Sequence, residues 1–404
     1  MDGEASRGFI EDDGTADLTS IRHYLHENPE LSFHEYRTTQ FLRSLLAQWG
    51  IRLADTGLGT GLAGVICGTR KGNADTEDPC VALRADIDAL PVTEEVSLGY
   101  ASRNKGVMHA CGHDIHMAAL LGAAYYLSHH TDRFAGRIII LFQPAEELGE
   151  GADAVIASGA VDDADAIIGI HNNPDMKPGE IAVGSEPIMA GCLRFRVSLH
   201  AQGSHGARPD TGTGPIEAMA AMVQSLQTVV SRNIDPFHPA VVSVTSVHAG
   251  NVWNVVPPEA YFIGTVRTFY SADEELAIKR FNSIVQNTAA AYSISADVEW
   301  EHLSDPLVGD KVLSDAVARD VPRYAKLVPV VPSMVGEDFA RYGTKAPMVF
   351  AFIGSNGEKG HYPWHSPRFT ALDSCLDTAA QFYVNSAQCV LKELGAHNRL
   401  SPMA

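Results

Sequence analysis

Positive charge is scarce in this sequence: 30 lysines and arginines stand against 49 aspartates and glutamates, a net charge of −19 over 404 residues. A surface that acidic repels phosphate backbones and anionic lipid headgroups, which argues against nucleic-acid binding and peripheral membrane attachment. Nor does any stretch approach the roughly 20 apolar residues of a membrane span. The N-terminus, MDGEASRGFIEDDG, is acidic and lacks an apolar core, so a secretory signal is not expected. The six cysteines (Cys67, Cys80, Cys111, Cys192, Cys375 and Cys389) are scattered, without the spacing of a disulfide framework. Reduced thiols in a cytoplasmic protein are the expectation. Internal repeats and low-complexity tracts are also missing.

What is present is core-forming material. Hydrophobic residues make up 45% and charged residues 20%, enough for two or three globular domains. After a leader of about 20 residues, amphipathic patterns predict helices over Leu18–Asn28 and Glu35–Trp49, the second stopped by Gly50. Three short runs, Val81–Ala85, Arg137–Phe142 and Ala166–Ile170, are mainly apolar and rich in Val, Ile and Leu, as strands of a parallel sheet buried on both faces should be. A helical pattern, Ile115–His129, lies between them, so the fold class is α/β with an open, mostly parallel sheet.

From about Pro187 the texture changes. Leu193–Leu199 alternates, a helix is predicted over Pro215–Ser231, and strands over Ala240–Val247 and Ala260–Phe269. A helix over Asp273–Tyr292 and a strand near Ala296–His302 follow. Strand–helix–strand–strand–helix–strand is the order of a ferredoxin-like α+β sandwich. It predicts an inserted domain at 187–301 and a first domain built from 1–186 and 302–404, ending in a helix over Thr370–Leu394.

Ligands of open α/β sheets gather at the carboxyl ends of the strands. The three buried strands run into Asp86-Ile-Asp88, into Gln143-Pro-Ala-Glu146-Glu147, and into His171-Asn-Asn-Pro. A fourth group, Met108-His-Ala-Cys111-Gly-His113-Asp114, opens the helix at Ile115, and a fifth, His361-Tyr-Pro-Trp-His365, lies near the C-terminus. Any one of these reads equally well as a hydrogen-bonded structural histidine, a solvated Glu pair or a buried thiol. Together they supply the thiolate, imidazole and carboxylate donors that Zn²⁺ takes. Neighbouring residues leaving a strand point in opposite directions. One of the paired glutamates can therefore bind metal while the other serves as the base for a metal-activated water.

These motifs resemble the di-metal aminoacylase and carboxypeptidase superfamily. The branch of hippurate hydrolases, indole-acetyl-amino acid hydrolases and N-acyl-amino acid amidohydrolases is the most similar. The resemblance covers nearly the whole chain beyond the leader. It rests on RADIDALP (Arg84–Pro91), MHACGHD (Met108–Asp114), FQPAEE (Phe142–Glu147), GIH (Gly169–His171), GSHGARP (Gly203–Pro209), NVVP (Asn254–Pro257), GEDFA (Gly336–Ala340) and HSPRF (His365–Phe369). It implies that Cys111, His113, Glu147, His171 and His365 bind two divalent ions, zinc by ligand chemistry, with manganese or cobalt as alternatives. It further implies that Glu146 is the general base and that Asp88 orients a ligand. Asp86 replaces a histidine ligand found in relatives outside the branch and is not counted as a ligand here. His205 matches a histidine that reaches across a homodimer, built through the inserted domain, to polarise the scissile carbonyl. Asn254 matches a residue that contacts substrate. Turn residues after Gly203 and before Pro257 are the plain alternatives for these two.

The implied activity is hydrolysis of the amide bond of N-acyl-L-amino acids. The run HNNPDMKPGEIAVGSEPIMAGC, with WNVVPPEA further on, looks like bacterial N-acyl-glutamine amidohydrolases. Asn172-Asn173, where many members of the branch have an aromatic pair, and Tyr362-Pro-Trp364 flank ligands and are expected to shape the substrate pocket. Two alternatives stand beside this reading. One is a carboxypeptidase or dipeptidase of the same fold, which needs an acidic group for the substrate ammonium. The other is a catalytically inactive metal-binding protein, which would have lost Glu146 or a ligand.

Overall fold

The computed structural model describes residues 16–72 and 78–397. Most of the acidic leader, residues 1–15, lies outside them. The chain divides into two compact units. One comprises Met1–Glu186, Val308–Val331 and Arg341–Ala404, the other Pro187–Leu307 and Pro332–Ala340.

The first unit is built on an eight-stranded sheet. Its chain-order strands are β1 (Arg52–Leu53), β2 (Leu62–Cys67), β3 (Cys80–Asp86), β4 (Arg137–Gln143), β5 (Ala166–Asn173) and β6 (Glu180–Val183). Lys326–Leu327 and Met348–Gly354 complete it. The spatial order is β1, β2, β4, β3, β5, Met348–Gly354, β6, Lys326–Leu327. The four central strands, β4, β3, β5 and Met348–Gly354, are parallel. Antiparallel pairs occur toward both sides. β3 and β5 are buried at every position, which requires cover on both faces and suits their high content of Val, Ile, Leu and Ala.

Helix α1 (Leu18–Glu27) is capped by the Asp17 carboxylate, which receives the Ser20 N–H at 2.9 Å. Helix α2 (Tyr36–Gln48) stops where Gly50 takes a φ of 71°. Helix α3 (His113–His129) is buried on nearly all sides and packs against α1, the C-terminal helix and β3. The C-terminal helix begins at Leu376, later than the predicted Thr370. The intervening residues bond elsewhere: the Thr370 carbonyl receives Asn356 Nδ2 and the Leu372 N–H goes to Ser355 O.

The second unit has a four-stranded antiparallel sheet in the order Ala240–Ala249, Glu259–Thr268, Gly191–His200, Ser295–Ser304. Its helices Pro215–Leu226 and Ser271–Ala291 pack on that sheet, giving the ferredoxin-like sandwich. The helix predicted over Pro215–Ser231 breaks at Gln227. There the Thr228 hydroxyl bonds the Ser225 carbonyl at 2.6 Å, and a second helix runs Thr228–Asn233. The predicted boundaries need correction. The inserted unit extends to Leu307, and it also takes in Pro332–Ala340, which the sequence assigns to the first domain. The cause is a backbone ladder: Ser333 N donates to Ile188 O, and Ala190 N to Ser333 O. Among the described residues no helix is long and apolar enough to cross a membrane.

Candidate metal centre

Two strand ends and two loops of the first unit bring five side chains together. Cys111, His113 and His171 form one group with donor atoms within 4.8 Å of one another, as do Cys111, Glu147 and His365, and also His113, Glu146 and Glu147. Cys111 Sγ lies 3.4 Å from His171 Nε2. His365 Nε2 lies 3.4 Å from one Glu147 oxygen, and His113 Nε2 3.8 Å from the other. Glu146 stands beside them, 4.0 Å from His113 Nε2.

The two buried histidines are held alike. His113 Nδ1 donates to the Asp88 carbonyl at 2.9 Å, and His171 Nδ1 donates to its neighbour's carbonyl, Asn172 O, at 2.7 Å. A carbonyl can only accept, so both rings carry the proton on Nδ1 and turn an Nε2 lone pair toward the cluster. This is the tautomer a metal requires. His113 Nε2 and Glu147 Oε1 are buried and have no hydrogen-bond partner among the described residues. Unpartnered buried polar atoms are costly, and a divalent cation between such donors removes the cost. Electrostatics agree. Burial works against a charge on His113, yet Asp86, Asp88 and Glu147 overcome it and push the ring up to about 10. A cation bound there takes the place of that proton. His171 moves the opposite way, well below the usual histidine range, because burial and the neighbouring His116 both oppose protonation. The thiolate, imidazole and carboxylate set fits zinc-type ions.

Local chain geometry explains the arrangement. Gly112, with φ of 81°, turns the chain from Cys111 into α3, and a Cβ there would meet Asn172 Nδ2 at 2.5 Å. His365 has a φ of 65°, and its N–H donates to Ala110 O at 2.9 Å, which ties the C-terminal ligand loop to the residue before Cys111. Asp88 accepts from Ser32 Oγ at 2.6 Å and from Glu147 N at 3.0 Å, so it steadies both His113 and Glu147. Asp86 is buried against Arg84 Nη1 at 2.7 Å and His116 Nδ1 at 2.6 Å.

One expectation about the surroundings changes. Asn172 is fully buried and points inward, with Nδ2 donating to Cys111 O at 2.6 Å, so it braces the ligand loop and does not line a pocket. Trp364 packs edge-on against His171, ring centroids 4.9 Å apart. Sequence reasoning also missed His116. Its Nε2 receives the Asn172 N–H at 2.9 Å while its Nδ1 donates to Asp86, which commits one nitrogen to bracing β5 and the other to β3. The signal was its place one helical turn after His113. His205 and Asn254 lie in the second unit, outside this cluster. They are neighbours there: Ser204–His205 pairs with Val255–Val256, and Gly206 N donates to Asn254 O at 2.7 Å. His205 is exposed and Asn254 half-buried.

A buried α/β sheet that delivers thiol, imidazole and carboxylate donors to one spot is the frame of a metallohydrolase. The chain belongs to peptidase family M20/M25/M40, whose model matches residues 82–388. It is 42% identical to the N-acetyl-L-cysteine deacetylase of Bacillus subtilis (strain 168), over 93% of this chain and 88% of that protein. It is 35% identical to thermostable carboxypeptidase 2 of Saccharolobus solfataricus, over 90% of this chain and 92% of that one. Among solved structures it resembles the Bacillus subtilis YXEP protein, described as a dinuclear metal binding peptidase of the M20 family. The TM-score is 0.83 and the identity 35%, over 93% of this chain and 97% of that one.

Proposed function

We propose that the protein hydrolyses the amide bond of N-acyl-L-amino acids at a two-ion centre, releasing a carboxylic acid and a free amino acid. Cys111, His113, Glu147, His171 and His365 hold the ions, zinc by donor chemistry. When bound, the ions supply Lewis acidity toward the amide carbonyl and the attacking water. Glu146 takes a proton from that water as its oxygen bonds to the acyl carbon. It returns the proton to the nitrogen as the C–N bond breaks. Asp88 keeps His113 and Glu147 in register for this. The observation that carries the reading is the deacetylase relative, matched over nearly its whole length and named for removing an acetyl group from an amino acid.

His205 polarises the carbonyl of a partner subunit's substrate, and Asn254 contacts the amino-acid portion. Two features support a homodimer through the second unit. Ala240–Ala249 is an edge strand, and exposed aromatic residues stand at both its ends, Phe237 at 91% and Trp253 at 96%. The acidic charge and the cysteines, none of them in a disulfide among the described residues, favour a reducing cytoplasmic setting.

A second reading, a carboxypeptidase, is favoured by the Saccharolobus relative. One panel separates the two: N-acetyl-cysteine, N-acyl-glutamines of several chain lengths, and unblocked dipeptides, tested on metal-reconstituted enzyme. Acylated substrates are expected to react much faster, with N-acyl-glutamine foremost. Equal or faster hydrolysis of unblocked dipeptides moves the protein to the peptidase reading.

A further inference from the structure

The turn that carries Glu146 and Glu147 is bent in a way its own residues disfavour. Ala145 sits in the left-handed region, at φ 53° and ψ 39°, where a Cβ crowds the backbone and glycine is the usual occupant. The residue that holds it there comes from far away in the chain. The Ala145 N–H donates to Glu35 Oε1 at 2.9 Å. Glu35 immediately precedes α2, where a side chain ordinarily caps the helix, yet it makes no cap bond. Its side chain is instead directed at the Ala145 turn, and Glu35 is 0% exposed.

A fully buried carboxylate is expensive to keep, and one backbone bond repays little of that cost. What the bond does is geometric. The Glu147 N–H on the other side of Glu146 is received by Asp88 Oδ2 at 3.0 Å. The residues on either side of Glu146 thus each have their N–H held by a buried carboxylate, Ala145 by Glu35 and Glu147 by Asp88. The start of α2 steadies the turn at a second point. Thr39 Oγ1 accepts the Gly61 N–H at 2.8 Å, and Gly61 runs so close that a Cβ would stand 2.7 Å from Pro144 Cδ. None of these bonds touches a metal-binding atom.

We propose that Glu35 is a positioning residue for the hydrolysis. By receiving the Ala145 N–H it keeps that residue left-handed, and so it aims the Glu146 carboxylate at the attacking water. This rests on the reading of Glu146 as the base. The role needs an acceptor at one place and does not need a charge, which sets an unusual order among variants. Glu35→Gln keeps an oxygen at the same reach and should retain most of its turnover. Glu35→Asp keeps the charge but is one methylene too short, and kcat should fall roughly 10- to 100-fold, as for reacting groups displaced by about an ångström. Glu35→Leu should do the same. In both, KM should stay within about twofold and metal content should be unchanged. Ala145→Gly accepts the left-handed backbone unaided, so adding it to Glu35→Asp should restore most of the lost kcat.

The comparison is made per folded, metal-loaded chain, with Glu146→Gln as the reference. If Glu35→Asp outperforms Glu35→Gln, the charge matters and the proposal is overturned. It is also overturned if the Asp and Leu variants only lower Tm while kcat holds, or if Ala145→Gly restores stability without restoring kcat. Should Glu35→Leu not fold, the Asp and Gln pair decides alone. A Glu146→Gln enzyme with full turnover would sink the reading of the base itself. An inactive Glu146→Gln beside fully active Glu35 variants sinks only the positioning role.

Discussion

The candidate-ligand loops of the first unit and the His205 strand pair of the second are held in opposite ways. Around the candidate metal centre His113 and His171 each have Nδ1 tied to a carbonyl, and Glu147 has its N–H tied to Asp88, so the donors are aimed before anything binds. His205 stands exposed on a two-residue strand whose partner, Val255–Val256, is equally short. Nearby Trp253 is 96% exposed. Preorganisation of the first kind suits groups that must not move during the chemistry. The second suits a group whose surroundings are completed only by another surface, which is how the proposed dimer would use it.

The largest expected effects test the preformed side. Chelation should abolish activity, and added Zn²⁺, Mn²⁺ or Co²⁺ should restore it. Glu146→Gln should lower kcat by roughly 10²-fold or more, because the amide keeps the shape but cannot take a proton. Its metal content, read by elemental analysis, should stay near normal, whereas Glu147→Gln and Cys111→Ser should load poorly. If Glu146→Gln loses metal and Glu147→Gln keeps it, the two glutamates have exchanged roles.

The exposed side should respond differently. His205→Ala should keep its metals and lose roughly 10-fold or more of its turnover. Mixing it with Glu146→Gln chains under subunit exchange should restore roughly a quarter of wild-type activity, since half the dimers then hold one site with neither defect. With exchange verified independently, no recovery would mean that His205 does not act across subunits.

The smallest effect concerns how α1 is fastened to the ligand loop. Arg22 Nε and His26 Nδ1 both bond the Asp114 carboxylate, next to His113 in sequence, at 3.0 and 3.1 Å. Burial disfavours a charge on His26, but Asp114 and Glu94 outweigh it and raise the ring to about 9. Between the ordinary histidine value and about 9 the native chain holds a proton that the unfolded chain has released. That stabilisation is complete below about 6.5 and is lost as pH rises through 9. Denaturant midpoints should therefore decline over that window, and His26→Gln should flatten the decline. An unchanged slope would show that the proton is carried elsewhere.

Much of this was legible in the chain. Short, mainly apolar runs marked β3, β4 and β5, and the polar groups directly after them include every residue of the cluster except Cys111, His113 and His365, which the two loop motifs supplied. Period and position suffice for that. The bracing was not legible. Asn172, His116, Asp86 and Glu35 matter through partners on other elements, and nothing in local composition separates a buried brace from a pocket wall. For the same reason Pro332–Ala340 went to the wrong unit: its affiliation is decided by the bonds of Ser333 to Ile188 and Ala190, some 140 positions away.

The strand Met348–Gly354 carries a consequence for assembly. It lies between β5 and β6, pairing with both, yet it follows the entire second unit in sequence. During synthesis the first unit's sheet therefore waits with an open gap until more than four-fifths of the chain has emerged, and His365 arrives later still. The second unit is nearly continuous and can close on itself meanwhile. An unfilled gap in a parallel sheet leaves two apolar strand edges facing solvent, the form of exposure that invites pairing with other chains. Synthesis order thus makes the first unit the slow and vulnerable partner, and with His365 among the proposed ligands, any metal captured before that segment is made would be held by an incomplete set.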